Sequence, residues 1–315
     1  MNKCFTSVND VPNVVNCVDE SIALNQQKDI VQSGNGKTLG LVFMNPSLRT
    51  RMSTQIAAKR LGMDVLVMSV GADTWQIEFN DGAVMDGQNV EHIKDAAAVM
   101  GLYCDVIGLR SFAGLKDKAA DCNETVMESF KRYCNKPFLS LESATLHPLQ
   151  SLADLMSIQE VNPGSGLNIL LSWAPHVKPI PHAVANSFSE WMLAWGKHSF
   201  TIACPAGYDL DTKFTNGAHI IRDPLELKGK ADFVYFKNWS SFEHYGQMPD
   251  SDISKFKQQH RFLDTEAHYM HCLPVRRNVE MPDVVIDSSK SLVLRQAENR
   301  VYSAMWALNH LLKQQ

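Results

Sequence analysis

Short, nearly continuous apolar runs alternate along the chain with longer stretches whose apolar residues recur at helical spacing. The runs at 40–44 with its flanks, 64–70, 105–111 and 137–143 predict strands, as do those at 167–175, 199–205, 231–239 and 268–274. Between the first of them, residues 50–62 and 90–103 carry the pattern of amphipathic helices. Strands that read as unbroken apolar runs belong to sheets covered on both faces. Repeated in both halves, the pattern predicts an α/β chain of two doubly wound parallel-sheet domains. A helix beginning at His147 connects the halves and is stopped by Asn162-Pro163-Gly164-Ser165-Gly166. A last amphipathic helix, near 296–313, lines up Val301, Ala304, Met305, Leu308, Leu311 and Leu312. The expected division is 1–146 and 147–289, with 290–315 a C-terminal helix returning to the first domain.

Composition narrows the class. A length of 315 residues suits two domains, and a formal charge of −4 gives no basic footprint, so nucleic acid is not an expected partner. Seven cysteines without a Cys-x-x-Cys pair point to reduced thiols and a cytoplasmic protein. The first residues lack a signal-peptide core, and no apolar run reaches the ~20 residues of a membrane span. No Gly-x-Gly-x-x-Gly follows a predicted strand, which argues against a nicotinamide enzyme. No cofactor and no metal is expected.

The polar clusters fall at the carboxyl ends of predicted strands, where ligands of such folds bind. They are Ser47 to Arg51, Arg110, His147 to Gln150, and His271 to Arg277. The cleft between the domains is therefore the expected active site. At Phe43-Met44-Asn45-Pro46-Ser47-Leu48-Arg49-Thr50-Arg51 a strand ends, proline turns the chain, and a helix opens at the serine and threonine. Helix N–H groups, two hydroxyls and the Arg49 fork then make a phosphate site without glycines. Taken singly, each cluster also has a plain structural reading. Ser47 and Thr50 could cap a helix, His147 could do the same, Cys272 could be inert packing, and Arg110 could be a solvated strand end.

Read in order, Phe-x-x-Pro-Ser-x-Arg-Thr-Arg, His-Pro-x-Gln at 147–150, His-Cys-Leu-Pro at 271–274 and Ala297-Glu298-Asn299-Arg300 form a set. That set resembles the aspartate/ornithine carbamoyltransferase family over nearly the whole chain. The resemblance implies a carbamoyl-phosphate domain first and an acceptor domain second. It implies that Ser47, the Leu48 backbone, Arg49 and Thr50 hold the phosphate of carbamoyl phosphate, and that Trp75 and Arg300 also belong to the carbamoyl-phosphate site. Arg110, His147, Gln150 and the Leu273 carbonyl would surround the carbamoyl group, with Cys272 beside the acceptor amine. Trp75 would belong to a loop lent to a neighbouring subunit, so a homo-oligomer, usually a trimer, is expected.

Departures from the ornithine branch suggest the acceptor. Members using free ornithine carry an aspartate where this chain has Lys237, and a lysine would repel an α-ammonium. An acylated α-nitrogen removes that charge and leaves a carboxylate for Lys237. Glu142, Trp173-Ala174-Pro175-His176 and Arg276-Arg277-Asn278 also resemble the acetylornithine and succinylornithine branch. There Glu142, His176, Lys237 and Arg276 line the acceptor pocket, and the proline-rich 175–181 segment is knotted. Acetyl-specific relatives carry glutamate at the position of Val90, where an apolar residue would spare a succinyl carboxylate. At Glu280 they tend to carry lysine. N-succinylornithine is the expected acceptor and N-acetylornithine the alternative, should Glu91 rather than Val90 fill the position. Aspartate or putrescine as acceptor, and a relative that binds without turnover, are the remaining readings.

Overall fold

Two five-stranded sheets, every strand parallel to its neighbours, carry the molecule. The computed structural model describes residues 3–27 and 29–313. By contact the chain divides into two units. One holds Asp19–Leu149 with the chain up to Asn13 and the end from Arg300; the other holds Gln150–Asn299 with Val14–Val18. Among the described residues no helix is long and apolar enough to cross a membrane.

In the first unit, β1 (Cys4–Phe5), β2 (Thr38–Phe43) and β3 (Asp64–Ser69) are followed by the ribbon β4 (Ile77–Glu78) and β5 (Glu91–His92), then β6 (Val106–Arg110) and β7 (Phe138–Glu142). The main sheet runs β1-β7-β6-β2-β3. From β2 the chain moves first to β3 on one side and later to β6 on the other. The switch point therefore lies at the carboxyl ends of β2 and β6, where α/β sheets leave a crevice. Leu39, Leu41, Val42, Ile107, Leu109, Leu139 and Leu141 are wholly buried in this sheet, which is why their strands read as apolar runs. Helices Ile93–Tyr103 and Thr125–Cys134 cross closely at Gly101: a Cβ there would lie 2.0 Å from the Cys134 carbonyl oxygen.

In the second unit, β8 (Asn168–Trp173), β9 (Ser199–Ala203), β10 (His219–Ile221), β11 (Phe233–Lys237) and β12 (His268–Met270) pair in the order β10-β9-β8-β11-β12. The switch falls between β8 and β11, whose carboxyl ends lead into His176 and Lys237. Strand β12 stops at Met270, short of the predicted 274, because His271 to Pro274 form a turn in which Leu273 has φ 53. The short strands β1, β4, β5 and β10 escape the sequence pattern, since two or three residues show no periodicity. The connecting helix spans Pro148–Val161 and the last helix Val293–Leu312.

Candidate active site

At the first switch point the strand pairing slips between Leu109 and Arg110: Leu109 faces Ser140, but Arg110 faces Glu142. Such an irregularity re-aims side chains at a strand end, and here it sets a guanidinium against a carboxylate. Arg110 Nη2 lies 3.1 Å from Glu142 Oε2, both side chains nearly buried. Its Nη1 donates to the carbonyls of Asn45 (3.1 Å) and Pro46 (2.7 Å). One arginine thus ties the Asn-Pro turn to the sheet. Its Nε–H is buried without a protein partner, a donor left for a bound oxygen.

The helix after that turn runs Arg49–Arg60, with Leu48 as N-cap and no capping side chain. Sequence places the opening on the Ser47 and Thr50 hydroxyls; the structure starts it at Arg49, two residues past the serine. Its first N–H groups are therefore not spent on a capping oxygen, which suits an anion at this end. Thr50 is buried, and its Oγ1 accepts from Arg300 Nη2 at 3.2 Å.

His147 closes the cluster. The loop before it is held by Glu124, whose carboxylate accepts from the N–H groups of Ala144 (3.1 Å) and Thr145 (2.8 Å). The His147 Nε2 lies 3.4 Å from Arg300 Nη1 and 3.6 Å from Glu142 Oε2. An arginine can only donate, so the nearer contact puts the lone pair on Nε2 and the proton on Nδ1. That Nδ1 is buried without a partner. Burial, then the charges of Arg300 and Arg110, hold the His147 pKa well below the ordinary 6.5. The side chain is thus a neutral hydrogen-bond donor at physiological pH.

Trp75 and Val90 flank the β4–β5 ribbon, Trp75 two residues before β4 and Val90 just before β5. Both are exposed, at 54% and 65%. Trp75 Nε1 donates to Glu91 Oε2 at 2.7 Å, while the Val90 side chain stays in solvent. Glu142, expected at the acceptor, lies in the first unit with its carboxylate against Arg110.

In the second unit, Gln150 is buried and donates to Asp154 at 2.7 Å. The His271 Nδ1 accepts from the Leu273 N–H at 2.9 Å, which braces the turn that presents Cys272 and Leu273. Arg276 Nε donates to His176 Nε2 at 3.1 Å, and His176 Nδ1 meets the Lys178 carbonyl at 2.8 Å. Burial is the main cause lowering the His176 pKa, so it too is a neutral ring bridging two segments.

Lys237 is 7% exposed, with its Nζ 4.0 Å from Glu280 Oε1. Glu280 also faces His271 Nε2 at 3.6 Å and accepts from the Arg276 N–H at 2.9 Å. Burial pushes the Glu280 carboxyl up, but His271, Lys237 and the Arg276 N–H outweigh it and bring it to about 2, below the ordinary 4.5. A depressed folded pKa gives stability that is present above 4.5 and lost as pH falls toward 2. Glu280→Gln is therefore expected to flatten the acid limb of the urea midpoint between roughly pH 5 and pH 2. An unchanged acid limb would show that the carboxylate is not held by these partners.

Sequence reasoning named Glu280 only as a departure and missed Asp154, Gln296 and Glu124. For Asp154 a signal existed, since it stands four residues after Gln150 on one helix, where side chains meet. Glu124 and Glu280 act from loops far along the chain, and nothing local marks them.

Two family descriptions match the chain. One is the carbamoyl-P binding domain of aspartate/ornithine carbamoyltransferase, over residues 4–160, and the other the Asp/Orn binding domain, over 181–311. An N-succinylornithine carbamoyltransferase of Bacteroides fragilis is 41% identical over 99% of both chains. An N-acetylornithine carbamoyltransferase of Xanthomonas axonopodis is 35% identical over 85% of this chain and 84% of its own. Among solved structures, an N-acetyl-L-ornithine transcarbamylase with one glutamate changed to valine superposes with a TM-score of 0.89 at 32% identity. It covers 98% of this chain and 99% of its own, and is complexed with carbamyl phosphate and N-succinyl-L-norvaline. With both domains matched in order and relatives aligned end to end, the chain belongs to the aspartate/ornithine carbamoyltransferase family.

Proposed function

We propose that the chain transfers the carbamoyl group of carbamoyl phosphate to the side-chain amine of N-succinyl-L-ornithine, giving N-succinyl-L-citrulline and phosphate. The observation that carries this reading is the buried Arg110–Glu142–His147–Arg300–Thr50 cluster at the first switch point. Ser47, the Leu48 backbone, Arg49, Thr50 and Arg300 are assigned to the phosphate. The Nε–H of Arg110 and the Nδ1–H of His147 supply donors for the carbonyl oxygen. The neutral amine attacks the carbonyl carbon, the oxyanion is held by those donors, and the bond from that carbon to the bridging oxygen of the phosphate breaks, releasing phosphate. The departing phosphate accepts the amine proton, so no side chain serves as base. Gln150 and the Leu273 carbonyl take the carbamoyl N–H groups.

Lys237 is assigned to the α-carboxylate of the acceptor, with His176, Arg276, Cys272 and Glu142 completing its surroundings. For the acyl group, the glutamate-to-valine relative binds N-succinyl-L-norvaline, which is the behaviour expected of a chain that already carries Val90. Glu91 is engaged with Trp75, and this favours Val90 as the residue that meets the acyl tail. We extend the reading, by kinship, to a homotrimer in which Trp75 serves a neighbouring subunit, a knot at 175–181, a cytoplasmic enzyme, and a place in arginine biosynthesis.

Four acceptors test it: ornithine, N-acetylornithine, N-succinylornithine and aspartate, each with carbamoyl phosphate. Turnover of N-succinylornithine with none on ornithine is expected, and activity on free ornithine would overturn the Lys237 assignment. Val90→Glu introduces a carboxylate near the succinyl carboxylate. It should shift the succinyl-to-acetyl ratio of kcat/KM by about 10- to 100-fold toward acetyl. An unchanged ratio would place the acyl pocket elsewhere.

A further inference from the structure

Asp154 is wholly buried on the helix Pro148–Val161, and its Oδ1 is a meeting point. It accepts from Gln150 Nε2 at 2.7 Å and from Gln296 Nε2 at 2.8 Å. Gln296 then turns its Oε1 to the backbone N–H of His271, at 2.9 Å. The buried Tyr235 hydroxyl lies beside Asp154 and Cys272; burial and then the Asp154 charge hold it protonated, well above the ordinary 10. A relay therefore runs from Gln150 through Asp154 and Gln296 to the first residue of His-Cys-Leu-Pro.

A carboxylate can only accept hydrogen bonds, so each glutamine must turn its NH₂ toward Asp154. An amide of unknown orientation is thereby fixed at both places. For Gln296 this aims the oxygen at His271. For Gln150 it sets the oxygen at the end opposite Asp154. We propose that Asp154 is a positioning residue for carbamoyl recognition. It makes Gln150 an acceptor rather than a donor toward the carbamoyl NH₂. Through Gln296 it also holds the turn whose Leu273 carbonyl is the second acceptor for that nitrogen. This inference rests on the reading of the chain as a carbamoyltransferase. It adds the group that tells an amide from its methyl isostere: acetyl phosphate carries a CH₃ where carbamoyl phosphate carries NH₂, and offers the two acceptors nothing.

The test compares binding of carbamoyl phosphate and acetyl phosphate by calorimetry, for the full-length protein and for Asp154→Asn. An asparagine can present an N–H to Gln150 and let that amide turn over. The unaltered protein should prefer carbamoyl phosphate by at least ~10-fold, because the methyl group of acetyl phosphate cannot donate a hydrogen bond to either acceptor. Asp154→Asn should lose most of that preference by weakening carbamoyl phosphate, with the acetyl phosphate Kd nearly unchanged. Asp154→Asn should also lower kcat far less in a Gln150→Ala background than in the unaltered one. Equal weakening of both ligands, or the same factor in both backgrounds, would make Asp154 merely structural and overturn the inference. Should Asp154→Asn not fold, Gln296→Leu tests the relay from its other end, with retained discrimination as the adverse result. An unaltered protein that fails to bind carbamoyl phosphate would instead sink the proposed function.

Discussion

Arg110→Gln is expected to lower kcat for carbamoyl transfer by about 10²- to 10³-fold, the usual loss when one oxyanion donor is removed. It is also expected to destabilise the fold by about 3 kcal/mol, because Glu142 is left as a buried carboxylate without its arginine. The two effects have separate origins. The guanidinium spends Nη1 on the Asn45 and Pro46 carbonyls and Nη2 on Glu142, which fixes the turn ahead of Ser47. Its Nε–H remains for the reacting carbonyl. Denaturant midpoints report the first function and single-turnover rates the second. Arg110→Gln with Glu142→Gln removes the orphaned charge, so stability should recover while turnover does not. If turnover returned with stability, Arg110 would have no role beyond the ion pair.

The alternation of apolar runs and helical stretches disclosed both sheets, because parallel strands covered on two faces leave no polar residues to break the pattern. What position Arg110, His147 and Lys237 are features without a local signature. The pairing slip between Leu109 and Arg110 depends on the partner strand, and Glu124 reaches the loop before His147 from 20 residues away in the chain. Strand β12 was overextended by sequence for a related reason: Cys272, Leu273 and Pro274 continue an apolar run, while the turn comes from the positive φ of Leu273 and its bond to His271. Residue types at strand ends were legible. Their hydrogen-bond partners, and with them the neutral state of His147, required the fold.

Lys237→Met should cut kcat/KM for N-succinylornithine by about 100-fold while leaving the Kd of carbamoyl phosphate within about twofold. The methionine keeps the apolar stem that packs in the strand and removes only the ammonium. The loss should appear chiefly in the KM of the acceptor, since a carboxylate remote from the reacting amine is bound equally in ground and transition states. Glu280 bears on how a change of acceptor can be engineered. The Lys237 Nζ lies 4.0 Å from that carboxylate, so Lys237→Asp, which imitates the ornithine branch, would remove the cation facing Glu280 and add a second carboxylate to a site where Glu280 is 2% exposed. Like charges there disfavour ionisation of both. Lys237→Asp alone is expected to lose N-succinylornithine activity without gaining ornithine. Lys237→Asp with Glu280→Gln relieves the repulsion and is the combination expected to admit an α-ammonium. Ornithine turnover by the single variant would show that Glu280 does not constrain the charge at position 237, and full N-succinylornithine turnover by Lys237→Met would remove the basis for assigning an acylated acceptor.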